Sequence, residues 1–169
     1  MRACLLALPL LAAVPASAEV IASSETSFAS HHVLTVAAPP AQLWATLLRP
    51  ASWWDGAHSY SGNAANLSLD ARPGGCWCEK TPGGGVEHMR IVYLAANDTL
   101  RMTGGLGPLQ AMPVAGVMTI TLKPAGAGTT LTLDYAVAGP GLASLAAPVD
   151  QVLGVQWTRL KAAAERQGQ

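Results

Sequence analysis

Three features of this 169-residue sequence predict an α+β fold. From Val86 onward four alternating stretches, VEHMRIVYL, DTLRMTG, GVMTITLKP and TTLTLDYAV, follow one another with turn-forming connections, the signature of antiparallel strands. PVDQVLGVQWTRLKAAAERQ then closes the chain with its longest helical pattern. Between the first strand-like stretch and this run, two short helical pieces interrupt the alternation, and no repeat, low-complexity tract or linker divides the chain.

The opening, MRACLLALPLLAAVPASAEV, has one basic residue, an apolar run from Ala3 to Val14 and the small triplet Ala16-Ser17-Ala18. That order reads as a secretory signal peptide over residues 1–18, cleaved after Ala18. The run is too short for the ~20 residues of a membrane span, and no later segment qualifies as one. The expected mature chain, residues 19–169, is a single domain placed in the periplasm or secreted, and its length suffices to bury roughly 70% of its unfolded surface.

SFASHHVLTV (27–36) alternates as a strand, Pro39-Pro40 breaks it, and AQLWATLL (41–48) has helical spacing. PASWWDG adds a second short helical piece. A strand near 67–70, a turn at Pro73-Gly74-Gly75 and a strand from Cys76 to Lys80 come next, with TPGGG as a hairpin loop. In the last two strands Met118, Ile120 and Leu122, and then Leu131, Leu133 and Tyr135, share one face, while threonines and Asp134 take the other. The connection from Gly104 to Gly116 is long and glycine-rich. With Leu106, Leu109 and Met112 in it, it suits a mobile lid over a cavity mouth, or else a static packed loop. In the final helix Val149, Val152, Leu153, Leu160 and Ala163 form one apolar arc with Gln156 at its centre.

Half of the residues are hydrophobic, 12% are charged and the formal net charge is zero. This balance argues against nucleic acid or an anionic surface as partner and fits an additional apolar surface such as an internal cavity. Oligomeric state is not written in these features. Cys4 belongs to the leader, which leaves Cys76 and Cys78. Alternate residues of a strand point the same way with Cα atoms near the ~6.8 Å limit for a disulfide, so a bridge requires a local bend. The expectation is two unbridged cysteines filling strand positions opposite Trp77 and Glu79. A bridged or redox pair, and a copper-type metal site drawing on His88, Met89, Met102 and Met118, are the alternatives; no metal or cofactor is called for, since the spacing matches no zinc pattern.

Among titratable groups Glu79 and His88 are the candidates for general acid or base, and the sequence contains no arrangement for a nucleophilic triad or a phosphate loop. His31 and His32 fall at a strand start and read as solvated. The five tryptophans, at 44, 53, 54, 77 and 157, are the main aromatic mass, available to the core or to a cavity wall.

VAAPPAQLWATL, SWWDG, the PGG turn before Trp77 and Glu79, and VLGVQWTRLKAAAE resemble, in order and spacing, the START-like or SRPBCC superfamily, across nearly all of the mature chain. That group includes polyketide cyclases, lipid-transfer domains, birch-pollen allergens and the activator of the ninety-kilodalton heat-shock ATPase. The resemblance implies a helix-grip fold: a curved antiparallel sheet wrapped around the long C-terminal helix, with two short helices after the first strand and a cavity for an apolar ligand. It implies no shared chemistry. The expected function is binding of a hydrophobic small molecule as carrier, sensor or scavenger, with a cyclase or dehydratase in the same cavity as the alternative and a metal-handling module on Cys76 and Cys78 as a distant one. Trp54, Trp77, Met102, Met118, Tyr135, Leu153 and Gln156 are the expected ligand-binding residues. ATPase activation does not suit an exported protein.

Overall fold

The alternation becomes one antiparallel sheet of eight strands in the computed structural model, which describes residues 17–167. Strands β1 (Ser17–Ser23), β2 (Ser27–Val36), β3 (Leu67–Leu69), β4 (Cys76–Thr81), β5 (Gly84–Ala95), β6 (Thr99–Gly104), β7 (Ala115–Ala125) and β8 (Gly128–Ala138) lie in the order β1-β2-β8-β7-β6-β5-β4-β3. The chain leaves β2, forms helix α1 (Pro40–Leu47) and three short 3-10 turns, and restarts at the far edge of the sheet with β3. From there the strands run as a meander back to β2. Helix α2 (Ala146–Arg166) follows β8 and fills the concave side, which is the helix-grip arrangement.

Local chemistry explains the elements. Pro39 caps α1 and Pro40 starts it, a position where a missing N–H is harmless, and the helix buries Leu43, Trp44 and Leu47. Period-two patterning sets the inner rows of the sheet. Met102, Met118 and Tyr135 stand in register on β6, β7 and β8, and Leu100, Ile120 and Leu133 form the next row. Against these rows α2 packs Leu153, Trp157 and Leu160, all fully buried. At ~1.5 to 3 kcal/mol for each large apolar side chain buried, this interface is what holds the helix in the sheet.

Three sequence expectations change. His32 is not solvated: only His31 stays partly exposed, paired with Asp134 at 2.7 Å on the outer face, while His32 is 1% exposed. Its Leu133 neighbour on β8 puts it on the inner face, where Nε2 lies 2.9 Å from Asp150 Oδ1 of α2, off the best hydrogen-bond direction. Cys76 and Cys78 are bridged, with Cα atoms 5.4 Å apart. The pairing of β4 with β5 is irregular between Trp77 and Cys78, and this bulge supplies the bend that a flat strand lacks. Finally, β1 was not foreseen as a strand: Ser17 and Ala18 read as the end of a leader, and Glu19 to Ser23 were assigned no element. Residues 1–16 of the expected signal peptide lie outside the described residues; Ser17 and Ala18 begin β1. Among the described residues no helix is long and apolar enough to cross a membrane.

Candidate functional site

A pocket of about 390 Å³ opens where three segments meet. Trp54 and residues 57–60 form one lip, Leu106 to Pro108 of the β6–β7 connection form the second, and the N-terminal half of α2 forms the third with Pro148, Val149, Val152 and Leu153. The lining is mostly apolar. Polar backbone bonds fix the lips instead of reaching into the space. Arg159 Nε donates to the Trp53 carbonyl at 2.9 Å, the Asp55 N–H donates to Gln156 Oε1 at 2.8 Å, and Tyr60 Oη donates to the Gly107 carbonyl at 2.9 Å, joining the first lip to α2 and to the second lip.

The second lip is pinned from below. Tyr135 Oη donates to the Gly104 carbonyl at 3.2 Å and accepts from the Leu106 N–H at 3.4 Å. Burial pushes this phenol up to about 12, partly offset by the Leu106 N–H, so it stays protonated and keeps donating. Gly116 is required here, because a Cβ on it would sit 2.2 Å from the Gly104 carbonyl oxygen. Leu106 and Leu109 are buried and residues 107–111 form a 3-10 turn, so the connection is packed along its apolar side chains.

Deeper in, a lobe of about 20 Å³ continues from Trp54, Tyr60 and Leu106 to Trp77 and His88. His88 reaches it because of the same bulge. Cys78 pairs with Glu87 and Trp77 with Met89, which leaves His88 as the extra residue of β5, and both His88 and Met89 turn inward. Glu79, 2% exposed, accepts from His88 Nε2 at 3.0 Å and from the backbone N–H groups of Tyr60 (3.0 Å) and Ser61. Burial alone would raise the Glu79 carboxyl; the hydrogen bonds from Ser61, Tyr60 and His88 outweigh it and hold the group below its ordinary value, ionised. For His88 burial is the largest influence and lowers it, against the partial opposition of Glu79, so the ring is neutral. An ionised carboxylate only accepts, which places the ring proton on Nε2.

Of the sequence-named residues, Trp54 and Leu153 line the pocket, and Trp77 and His88 line its inner lobe. Met102, Met118 and Tyr135 form the buried floor of the sheet and appear in neither lining. Residues 57–60 were not named, and Leu106 was named only within the Gly104–Gly116 connection, read as a lid over a cavity mouth or a packed loop. Their approach is set by tertiary hydrogen bonds, although the Leu106 segment did carry a signal in its glycines and apolar side chains.

These features gain a family context. The family described as polyketide cyclase / dehydrase and lipid transport matches residues 27–165, from β2 to the end of α2. The chain belongs to this family. Several solved structures share the fold. CV1439 from Chromobacterium violaceum aligns at a TM-score of 0.58 and 20% identity, over 81% of this chain and 96% of that one. MLL2253 from Mesorhizobium loti gives 0.62 and 19%, over 82% and 97%, and a protein from Rhizobium leguminosarum gives 0.62 and 20%, over 90% and 99%. At such identities the likeness is one of fold. No curated protein matches the sequence.

In this family member Gln156 is buried, yet it neither reaches a strand carbonyl nor appears in the pocket lining. It accepts from the Asp55 N–H, while its amide nitrogen finds no partner among the described residues. Gln156→Leu is therefore expected to lower stability by ~1 kcal/mol, as the Asp55 N–H loses its acceptor, with ligand affinity retained. Urea denaturation checks this; unchanged stability together with lost binding would assign the side chain to the cavity instead. The cysteines offer little to a metal. Cys76, Cys78 and Glu87 bring potential ligand atoms within 4.8 Å of one another, but the bridge consumes both thiols and Glu87 is paired with Arg90.

Proposed function

We propose that this protein binds an apolar small molecule in the pocket between residues 54–60, Leu106 to Pro108 and α2, as a carrier, sensor or scavenger. The observation that carries the reading is the pocket itself, whose volume of about 390 Å³ lies within the range of small-molecule sites and whose walls are apolar side chains held by bonds made outside it. Val152→Trp tests it by filling the space from a half-buried helix position. Binding of an apolar probe such as 2-methylnaphthalene should be lost, while the circular dichroism and melting curve of the variant stay those of the parent. Equal binding by the two proteins would reject the pocket. Native mass spectrometry of protein purified from its own host names the ligand.

A cyclase or dehydratase working in the same pocket is favoured by one observation, the 3.0 Å contact of Glu79 with His88. Both Glu79 oxygens already accept backbone hydrogen bonds, so proton transfer would fall to His88, with Glu79 as its positioning residue. We further propose export to the periplasm or beyond. Cleavage after Ala18 takes two residues from β1 and leaves Glu19 to Ser23 paired with β2. N-terminal sequencing of the exported chain should begin at Glu19, and an intact Met1 would reject the proposal.

A further inference from the structure

The inner lobe holds two buried polar atoms that nothing in the fold satisfies. His88 Nδ1 and Trp77 Nε1 are both buried, and neither finds a hydrogen-bond partner among the described residues. They differ in kind. With the His88 proton on Nε2 and given to Glu79, Nδ1 is an acceptor, whereas the indole N–H is a donor only. Both rings line the same lobe, with centroids 6.5 Å apart. One oxygen that donates to the acceptor and accepts from the donor can bridge nitrogens up to about 5.8 Å apart, at ~2.9 Å per bond.

We propose that the inner lobe is a hydroxyl subsite, in which His88 Nδ1 accepts from, and Trp77 Nε1 donates to, the hydroxyl of a phenolic ligand whose ring lies in the outer pocket. This rests on the reading of the outer pocket as an apolar ligand site. Size and charge restrict the class. A lobe of about 20 Å³ admits one water-sized group and no ring. A carboxylate brings acceptors only and a negative charge toward Glu79, and it would leave His88 Nδ1 unpaired. An ammonium would face the indole N–H with a second donor. Of these three ligand groups only a hydroxyl answers both atoms. Trp54 and Tyr60, which border both spaces, present rigid aromatic walls at the junction and suit a planar ring next to the hydroxyl.

The test compares 2-naphthol with 2-methylnaphthalene, which replaces the hydroxyl by a methyl group of similar size. By tryptophan quenching at pH 7.5 the parent protein should bind 2-naphthol about tenfold or more tightly than the methyl compound, because only the first pairs the two buried atoms. Trp77→Phe keeps an aromatic ring and deletes the donor; the preference for 2-naphthol over 2-methylnaphthalene should fall toward unity. His88→Phe should do the same, and if that variant does not fold, Trp77→Phe decides. In the parent the His88 Nδ1 nitrogen resonance should move with 2-naphthol and stay in place with 2-methylnaphthalene. Equal affinity for the two probes, or a preference that survives in Trp77→Phe, overturns the subsite and leaves the apolar pocket standing. Binding of neither probe refuses the pocket and the subsite together.

Discussion

Replacing Glu79 by leucine is expected to cost about 3 kcal/mol or more, because each buried donor left unsatisfied costs about 1 to 3 kcal/mol. The reason is what Glu79 holds. Its oxygens take the backbone N–H groups of Tyr60 and Ser61 and the Nε2–H of His88, so leucine strands three donors around an apolar side chain. The same bonds tether the first lip of the pocket to β4, and Tyr60 in turn reaches the second lip through Gly107. Glu79→Leu should therefore loosen the pocket as well as the fold, seen as faster amide exchange across residues 55–61. Glu79→Gln, which keeps one acceptor but turns an amide toward a donor, should fall between the leucine variant and the parent. A loss below ~1 kcal/mol for Glu79→Leu in urea denaturation at pH 7.5 would mean that water replaces the carboxylate, and the site would then be wetter than its burial indicates.

How far these features were legible in the sequence depends on the range of the interaction behind each. Alternation is local, and β2 at Ser27–Val36 matches the reading to the residue, as do the inner rows of β7 and β8. The arc on α2 was likewise readable from its spacing, including the burial of Gln156. What fails is non-local. His32 reads as polar in a polar pair, and only the crossing of α2 brings Asp150 to it. The disulfide and the inward turn of His88 share one cause, the β4–β5 bulge, which period-two reasoning excludes because it assumes an unbroken ladder. The stretch VEHMRIV did carry a trace of it, since His88 and Met89 break the alternation of inward and outward residues. The bond that joins the two pocket lips was beyond reach for a different reason. Tyr60 and Gly107 are 47 residues apart, and nothing in either segment records the bond between them.

Acidification from pH 7.5 should destabilise the protein in two stages. His32 and His88 both sit below their ordinary value, in each case first because burial disfavours the charged ring and despite an adjacent carboxylate, Asp150 for the one and Glu79 for the other. Below ~6.5 the unfolded chain binds protons at these two positions that the folded chain refuses. Their contribution is thus complete above ~6.5 and is lost as the pH falls toward the lowered folded values. The groups facing them set this balance: Asp150 from α2 and the adjoining His31 for His32, and Glu79 with the rings of Trp77 and Tyr60 for His88. Glu79 acts in a lower window. Its carboxyl is also held below the ordinary value, by hydrogen bonds that outweigh burial, so its contribution is present above about 4.5 and disappears as the pH drops through its folded value. Urea midpoints measured from pH 8 down to about pH 2 should accordingly be flat at first, fall below ~6.5, and fall again below about 4.5. Replacing His32 by glutamine should remove its share of the first decline and leave the second. Midpoints that rise between pH 7 and pH 5 would show the histidines becoming cations paired with Asp150 and Glu79, and would reverse the assignment of His88 as a neutral ring with a free acceptor.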